Sequence, residues 1–300
     1  MKILLTGAGG FVGGHLLRTA IETFGHDNVV ALTSRELDGV QSVVAKGHDL
    51  SQLGPDRFND IDVLIHAGAF TPKSGQEAND IEACGRNISF TENLLRFQFA
   101  SLKKVVFTST LDVYAAAERI SESTPLAPAT LYGASKLYGE KMVEVFASQR
   151  SISHEILRLG HIYGPGEEAY QKILPLTISN ILSGKPVQIW GGGEELRSFI
   201  YIEDIVSAIL KAVTCDTGER VINIVGGAPI SIKALVEKLV VISGRSVQVN
   251  HQAVSTRGRD FVFDNRLLKK TLLAEEYDFD RGLTAEFNHM LLKLQSVQDH

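Results

Sequence analysis

The sequence has few cysteines, no surplus of positive charge and no long apolar run. Its two cysteines, Cys84 and Cys215, are too few for a disulfide framework and lack the spacing of a metal site. We therefore expect two buried free thiols, a reducing compartment and no bound metal. A net charge of −5 argues against a nucleic-acid partner, because neutralising phosphates requires clustered Lys and Arg.

A membrane partner is not expected either. The first ten residues, MKILLTGAGG, run from one lysine through a short apolar stretch into glycines, which is neither a secretory signal nor a membrane span. The expected location is the cytoplasm. With 300 residues, of which 44% are hydrophobic, the chain can bury a sizeable core, and its partners are expected to be small molecules.

Short runs rich in Val and Ile alternate with helix-length segments. The predicted strands are 3–6, 29–33, 63–66, 105–109 and 155–159, and the predicted helices are 10–24, 76–99 and 132–149. Because these strands lack polar alternation, they indicate a parallel sheet covered on both faces by helices. The predicted fold is α/β, a Rossmann-type doubly wound parallel sheet.

The pattern of predicted elements changes after Gly164-Pro165-Gly166, where helix-rich segments alternate with shorter strands. These predicted elements are 173–183, 187–190, 205–213, 221–225 and 230–243. We predict a first domain over 1–165 and a smaller C-terminal α/β lobe over 166–300, which covers the mouth of the sheet and returns some strands to it.

A glycine motif follows the first predicted strand. LLTGAGGFVGG places Gly7, Gly10 and Gly13 in a G-x-x-G-x-x-G pattern where a helix begins. Glycines there permit a tight turn, let the backbone approach a pyrophosphate and leave N–H groups free at the helix N-terminus. The strand before and the helix after it favour dinucleotide binding in domain 1–165 over a purely structural turn.

The end of the second predicted strand, VVALTSRE, bears on the cofactor. Pockets for NAD commonly have an acidic residue there, where this chain has Thr33 and Ser34 followed by Arg35. A cation at this strand end, where no carboxylate takes the usual acidic position, favours binding of the 2′-phosphate of NADP. NADP(H) is therefore the favoured cofactor and NAD(H) is possible. Alternatively, Arg35 points into solvent beside Glu36.

Tyr132 and Lys136 lie four residues apart in LYGASKLYGE, and so on one face of a predicted helix. Alone, the pair is either ordinary surface chemistry or a proton-donating tyrosine tuned by a lysine. The glycine turn is followed in order by DVLIHAGA from Asp62, VVFTST from Val105, YGASK, LRLGHIYGPG and RSFIYIEDI. With these motifs the chain resembles the extended short-chain dehydrogenase/reductases, and within them the NDP-sugar epimerase, dehydratase and 4-ketoreductase branch.

The resemblance implies a catalytic trio of Thr110, Tyr132 and Lys136. Tyr132 would exchange a proton with the sugar oxygen while hydride moves at the adjacent carbon. Lys136 would hold the nicotinamide ribose and lower the pKa of the phenol, and Thr110 would hydrogen-bond the reacting oxygen. The implied cofactor contacts are Gly7, Gly10, Phe11, Val12, Gly13, Ser34, Arg35, Asp49, Leu50, Ala67, Gly68, Ala69 and Lys136.

Other implied positions have open roles. His66 either contacts the cofactor or is a satisfied histidine at a strand end, and Asn87 is expected to be structural. The implied substrate contacts are Thr110, His161, Arg197 and Arg257. Arg197 would grip a substrate diphosphate with Arg257 as its companion, unless both are solvated surface charges. In TRGRD, Arg259 replaces the glycine of the family pattern R-x-G-D.

Two differences from the family pattern limit which reactions are expected of this chain. Leu111 and Asp112 follow Thr110 where dehydratases of this branch have adjacent Asp and Glu, so dehydration is not expected. His161 stands where many relatives have asparagine. His161 either donates a hydrogen bond to a phosphate oxygen or acts as an additional acid/base in a reductase that also epimerises. Alternatively, it replaces the asparagine as a hydrogen-bonding group without transferring a proton.

The leading hypothesis is an NADPH-dependent reductase of an NDP-4-keto-6-deoxy sugar in nucleotide-sugar biosynthesis. The first alternative is an NAD-dependent UDP-sugar 4-epimerase, which uses the same trio, and the second is a reductase of a non-sugar carbonyl compound. A catalytically silent dinucleotide sensor would not need the complete trio. The resemblance also implies a homodimer that pairs helices 76–99 and 132–149.

Overall fold

The computed structural model describes residues 1–254 and 258–298. The strands are β1 (Ile3–Thr6), β2 (Val29–Thr33), β3 (Ser42–Val44), β4 (Val63–His66), β5 (Lys104–Thr110), β6 (Ser153–Leu159), β7 (His161–Tyr163), β8 (Val187–Trp190), β9 (Leu196–Tyr201), β10 (Val221–Ile224), β11 (Pro229–Ser231) and β12 (Val249–Gln252). The helices are α1 (Phe11–Phe24), α2 (Ile81–Leu95), α3 (Leu131–Arg150), α4 (Ile173–Leu182), α5 (Ile202–Thr214), α6 (Ile232–Ser243), α7 (Arg266–Thr271) and α8 (Phe279–Gln298).

A seven-stranded parallel sheet has the order β10-β6-β5-β4-β1-β2-β3. Every residue of β1, β4 and β5 is buried, as expected for strands covered on both faces. The predicted doubly wound Rossmann-type fold is confirmed. Strand order reverses between β1 and β4, and the carboxyl ends of parallel strands around such a reversal form a ligand-binding crevice.

Helices cover the two faces of this sheet with separate apolar clusters. Leu16 of α1 and Ile209 of α5 belong to the larger cluster, while Leu94 of α2 and Val143 of α3 belong to the second. All four side chains are fully buried. Burial of this kind is the main stabilising contribution, at about 25 cal/mol per Å² of apolar surface, and it fixes the crevice on a rigid base.

The remaining strands form two small sheets, with the orders β11-β9-β7 and β12-β8. Helices α4, α6 and α8 pack against one another beside them. From the same stretch of chain, β10 returns to the main sheet and pairs with β6 in parallel. The boundary at residue 165 stays a prediction.

Two local predictions differ from the structure. Cys84 is buried, but Cys215 is exposed, because it directly follows the last residue of α5 and its carbonyl accepts a hydrogen bond from Lys104 Nζ at 2.6 Å. The helix predicted at 76–99 is shorter at both ends. Asp80 caps the N-terminus of α2 by accepting a hydrogen bond from the Ala83 N–H at 2.8 Å.

Candidate active site

The turn between β1 and α1 brings three backbone segments into contact. Gly7 has a positive φ of 79°, and a Cβ atom there would lie 2.7 Å from Gly68 Cα. A Cβ at Gly13 would lie 1.9 Å from the Gly7 oxygen, so no other residue fits. Helix α1 begins after Gly10 without a side-chain cap, which leaves its first N–H groups available to an anion. The turn therefore fits the pyrophosphate of a dinucleotide.

Side chains at the end of β2 include the residues expected to contact the adenosine ribose of such a cofactor. The Thr33 hydroxyl donates to the Arg35 carbonyl and so closes the turn, while Ser34 and Arg35 are exposed. Among the described residues, no carboxylate pairs with the Arg35 guanidinium. Asp49 is exposed and Leu50 is buried next to it.

The loop after β4 carries Ala67, Gly68 and Ala69 alongside the glycine turn. The Gly68 N–H donates to Thr6 Oγ1 at 2.8 Å, which ties this loop to the end of β1. The ring of His66 bonds to Thr6 Oγ1 and Thr91 Oγ1, both at 2.9 Å. Burial and the charge of Lys136 lower the pKa of His66 to about 3. His66 is thus a neutral, satisfied core histidine.

The catalytic trio implied by the resemblance lies together at the carboxyl end of β5. Thr110 ends that strand, while Tyr132 and Lys136 lie in the first turns of α3, whose N-terminus Thr130 caps by accepting from the Gly133 N–H at 3.1 Å. All three are buried. The hydroxyls of Thr71 and Thr110 lie close enough to the Tyr132 phenol to act against the rise in its pKa.

The protonation of this trio differs from the sequence-based expectation. Burial and the charge of Asp112 raise the pKa of Tyr132, and they outweigh the opposing hydrogen bonds from the two threonines. Lys136 is not among the groups that shift this pKa most, so the expectation that it lowers the pKa stays a prediction. Lys136 Nζ instead lies 4.3 Å from the centroid of the Phe107 ring. The phenol is therefore protonated at neutral pH, as a proton donor must be, although the raised pKa makes it a weaker acid.

A buried ion pair between Glu140 and Arg158 lies one turn along α3 from Lys136. Burial lowers the pKa of Lys136 to about 8, against the opposing charge of Glu140 one turn along α3. Both oxygens of Glu140 bond to the Arg158 guanidinium, at 2.9 and 2.6 Å, and Arg158 also bonds the Tyr114 hydroxyl at 2.8 Å. This network fixes the face of α3 that presents the lysine.

Asn87, on α2, holds the loop after β4 against α3. Its side chain accepts from the Phe70 N–H at 2.7 Å, donates to the Phe70 carbonyl at 3.2 Å and donates to Ser135 Oγ at 3.2 Å. Asn87 therefore positions the segment that carries Thr71, next to the Tyr132 hydroxyl. Thr71 was not singled out from the sequence, because its role depends on this loop folding back over α3.

Arg197 and Arg259 place two cations beside one aromatic ring. Arg197 of β9 and Arg259 have their guanidinium carbons 4.8 and 4.9 Å from the centroid of the Phe261 ring. Arg197 also donates to the Arg259 carbonyl at 2.6 Å. Arg259, which replaces the family glycine, thus joins Arg197. Arg257 lies outside the described residues.

His161 begins β7, packed among aromatic rings. The centroid of the Phe261 ring lies 5.1 Å from that of His161. Burial, with the charges of Lys172 and Arg197, lowers the pKa of His161 to about 4. A neutral imidazole can hydrogen-bond a ligand, but it is a poor proton donor at neutral pH.

Two cleft residues were missed from the sequence, Tyr170 and Lys172. Lys172 lies close enough to Asp112 and His161 to shift the pKa of both, and Tyr170 similarly affects Tyr132. Their only sequence signal is the stretch GEEAYQK after the glycine-proline turn, a tyrosine and a lysine just before α4. Within residues 1–254 and 258–298, no three His, Cys, Asp or Glu side chains are grouped to hold a metal ion.

The model of the NAD dependent epimerase/dehydratase family matches residues 3–225 of this sequence. The chain belongs to this family. It is accordingly an enzyme of the extended short-chain dehydrogenase/reductase type that works with a nicotinamide cofactor. The matched residues include the glycine turn and the complete trio of Thr110, Tyr132 and Lys136.

Members of the NAD dependent epimerase/dehydratase family with different reactions are similar to this chain. The uncharacterized UDP-glucose epimerase YtcB of Bacillus subtilis is 30% identical over 83% of this chain and 84% of its own length. The dTDP-4-dehydro-6-deoxy-D-allose reductase of Streptomyces bikiniensis is 28% identical over 93% and 91%. The structure of UDP-glucuronic acid 4-epimerase from Bacillus cereus with UDP-glucuronic acid and NAD has a TM-score of 0.82 at 28% identity, covering 98% of this chain and all of that one.

A membrane-spanning helix is not found in the described part of the chain, where every helix is too short or too polar to cross a bilayer.

Proposed function

We propose that this enzyme uses NADPH to reduce an NDP-linked 4-keto-6-deoxy sugar in nucleotide-sugar biosynthesis. The observation that carries the cofactor preference is the end of β2, where Ser34 and Arg35 are exposed and Arg35 has no carboxylate partner among the described residues. An unpaired guanidinium binds a 2′-phosphate through charge-assisted hydrogen bonds, whereas an acidic residue would repel it.

The protonation of Tyr132 supports reduction. When bound, the nicotinamide supplies the hydride to the keto carbon. Tyr132, which is protonated at neutral pH, donates its phenolic proton to the sugar oxygen. Thr110 and Thr71 orient the phenol, and Lys136, freed from its place over the Phe107 ring, would hold the nicotinamide ribose.

A nucleotide diphosphate fits the charge of the second lobe. Arg197 and Arg259 are held on the Phe261 ring, and the charges of Lys172 and Arg197 both reach His161. Planar guanidinium groups fixed in this way suit bidentate binding of phosphate oxygens. The Streptomyces relative named as a dTDP-keto-sugar reductase supports the same substrate class. Its expected compartment remains the cytoplasm.

A second candidate, a UDP-sugar 4-epimerase with tightly held NAD, is favoured by the Bacillus cereus structure, which contains UDP-glucuronic acid and NAD. The trio serves both reactions. An epimerase returns the same hydride to the sugar, so it would show no net cofactor consumption.

The test is absorbance at about 340 nm, where reduced nicotinamide absorbs, while purified protein meets dTDP- and UDP-linked 4-keto-6-deoxyglucose with NADPH and then NADH. Decay with NADPH and one keto sugar is expected. Stable absorbance with every keto sugar, together with NAD released only on denaturation, would support the epimerase instead.

A further inference from the structure

A row of buried hydrogen bonds runs from the loop after β4 to helix α2. The Gly68 N–H donates to Thr6 Oγ1 at 2.8 Å, and Thr6 Oγ1 in turn lies 2.9 Å from Nδ1 of His66. The other ring nitrogen, Nε2, lies 2.9 Å from Thr91 Oγ1, whose hydroxyl donates to the Asn87 carbonyl at 2.8 Å. Thr6, His66 and Thr91 are buried, so these groups depend on one another rather than on water for their hydrogen bonds.

The two ends of this row fix the direction of every bond in it. A carbonyl oxygen only accepts, so the Thr91 hydrogen is used on Asn87, and Thr91 Oγ1 must accept from Nε2 of His66. A backbone N–H only donates, so Thr6 Oγ1 accepts from Gly68 and keeps its own hydrogen for Nδ1. Every group in the row is satisfied when the ring carries its proton on Nε2 and none on Nδ1. The geometry therefore selects one of the two neutral tautomers of His66.

The surroundings of His66 hold the ring in its neutral form. The centroid of the Phe107 ring lies 5.2 Å from that of His66, and Lys136 Nζ lies 4.3 Å from the centroid of the same Phe107 ring. A proton on Nδ1 would leave the Thr6 hydrogen without its acceptor and would add a second buried positive charge near Lys136. Burial and the charge of Lys136 accordingly lower the pKa of His66 to about 3. At neutral pH the arrangement of hydrogens is thus fixed.

The row continues from α2 into the helix that carries Tyr132. The Asn87 side-chain amide donates to Ser135 Oγ at 3.2 Å, and the Ser135 hydroxyl donates to the Tyr132 carbonyl at 2.8 Å. At the other end of the row, Gly68 lies in the loop expected to contact the cofactor, directly beside Gly7 of the glycine turn. Short side chains therefore connect this loop to the backbone of the catalytic tyrosine. Supporting contacts of this kind hold reactive groups in the geometry that catalysis needs.

We propose that His66, as the tautomer protonated on Nε2, is a positioning residue that fixes the cofactor loop relative to Tyr132. His66 contacts neither cofactor nor substrate in this role, because its two ring nitrogens are occupied by Thr6 and Thr91. Breaking the row at α2 is therefore expected to slow proton transfer at Tyr132 more than it weakens cofactor binding. This inference rests on the proposed function only in that Tyr132 exchanges a proton with the substrate, which the reductase and the epimerase share.

The first test measures the tautomer directly by NMR. The protein is labelled with nitrogen-15 and carbon-13, and the ring nitrogens of His66 are assigned through their bonds to its own backbone. At neutral pH we expect an unprotonated Nδ1 and a protonated Nε2, both with and without NADP⁺. A protonated Nδ1, in the other neutral tautomer or in the imidazolium, would overturn the inference. This measurement needs no substrate, so its result is independent of the proposed reduction.

The second test separates turnover from cofactor binding. Thr91→Val keeps the size of the side chain but removes the hydroxyl between His66 and Asn87. The contact between Thr6 and Gly68 stays, so the cofactor loop remains attached to β1. With the nucleotide sugar that the enzyme accepts, kcat should fall about tenfold or more, because small misplacements of reacting groups are costly, while the Kd of NADP⁺ should change less than about twofold. Thr91→Ser returns the hydroxyl and should bring kcat to within about threefold of wild type.

The matched control is Thr271→Val on α7, where the hydroxyl also donates to a carbonyl four residues earlier, that of Leu267, at 2.7 Å. This variant should keep the wild-type kcat and Kd, and circular dichroism shows whether each variant folds. Wild-type kcat in folded Thr91→Val would overturn the positioning role. A loss of kcat that Thr91→Ser does not restore, or that Thr271→Val shows equally, would also overturn it. The tautomer alone decides where Thr91→Val does not fold or where no nucleotide sugar is turned over, and only the second of these results contradicts the proposed function.

Discussion

Arg35 is the residue on which the choice between the two cofactors depends. It is exposed at the end of β2, and the turn around it is closed by the Thr33 hydroxyl, so its side chain is available to a ligand. A charge-assisted hydrogen bond contributes about 1.5–3 kcal/mol. The guanidinium should therefore determine how strongly a 2′-phosphate is preferred.

Arg35→Ala should lower kcat/KM with NADPH about 10- to 100-fold, the equivalent of that energy, and change the value with NADH little. Steady-state kinetics with both cofactors check this. Arg57→Ala removes the same charge from an exposed site at the opposite edge of the sheet and should leave the ratio unchanged. An unchanged NADPH preference in Arg35→Ala would show that Arg35 merely points into solvent.

Gly13→Ala tests the backbone approach at the pyrophosphate site. The added Cβ would lie 1.9 Å from the Gly7 oxygen, so the turn must move and the first N–H groups of α1 move with it. Cofactor affinity should fall at least about tenfold, with a loss of about 1–3 kcal/mol in stability. Gly14→Ala is the control, since its Cβ would make an ordinary 3.7 Å contact. Calorimetric titration with NADP⁺ would contradict this account if both variants bound alike.

Motifs with strict local requirements could be read from the sequence, whereas residues that act across the fold could not. The glycine turn and the pair Tyr132 and Lys136 are visible because spacing along one strand or helix fixes their relation. Lys172 reaches Asp112 only through the packing of the second lobe. The pKa of Tyr132 is likewise set by burial, which the sequence does not show.

At the scale of elements, the segment 164–172 joins the cofactor site to the C-terminal helix. His15 of α1 bonds the Pro165 carbonyl at 2.8 Å on one side. On the other, Glu286 of α8 accepts from the Gly164 N–H at 3.1 Å and lies close enough to Glu167 for that carboxyl to raise its pKa. Helix α8 was not predicted, because its sequence lies beyond the family motifs. Strands β1, β2, β4, β5 and β6 of the main sheet were predicted within about two residues, since their apolar runs are unbroken, whereas the short edge strand β3 was not predicted.

The buried pair Glu167 and Glu286 predicts a pH dependence. Burial raises the pKa of both, and the charge of Glu167 further raises the pKa of Glu286, so the folded protein keeps a proton that the unfolded chain loses above the ordinary glutamate pKa. Stability should therefore fall as pH rises from about 5 to about 8, by up to about 1.4 kcal/mol per pH unit for each retained proton.

Glu286→Gln keeps a hydrogen-bonding side chain but holds no titratable proton, so its melting temperature should depend less on pH. Glu275→Gln, an exposed site nearby in sequence, should follow wild type. Thermal unfolding at several pH values measures this dependence. Equal slopes of melting temperature against pH for Glu286→Gln and wild type would show that the folded protein does not retain a proton on this glutamate pair.

On the scale of the whole molecule, an apolar stripe remains on the outer face of α3. Leu131, Tyr138 and Val145 are 42%, 55% and 55% exposed and lie seven residues apart, so they share one face. Ile81 of α2, 81% exposed, adds to the apolar surface of this helix pair. Such a surface suits packing against a second copy of the same helices. The homodimer stays a prediction.

Val145→Asp should convert such a dimer into a monomer of 32.7 kDa, because it buries a charge in the contact. The control, Val241→Asp, changes an 80% exposed valine on α6 and should remain dimeric. Light scattering after size exclusion measures both masses. A wild-type protein that is itself monomeric would contradict the prediction.

The most direct test of the proposed reductase follows the hydride itself. NADPH labelled with deuterium at its transferable position is incubated with the 4-keto-6-deoxy sugar that the enzyme accepts, and the product is examined by NMR. The account predicts one deuterium at C4 of the product, one NADP⁺ formed for each sugar, and a turnover about 100-fold or more lower in Tyr132→Phe, which should still bind cofactor. The exposed control Tyr138→Phe should keep its turnover. A 4-keto sugar that stays unreduced while the label remains in the cofactor would contradict the reductase, and inversion of C4 in a UDP-hexose without net consumption of NADPH would then identify an epimerase.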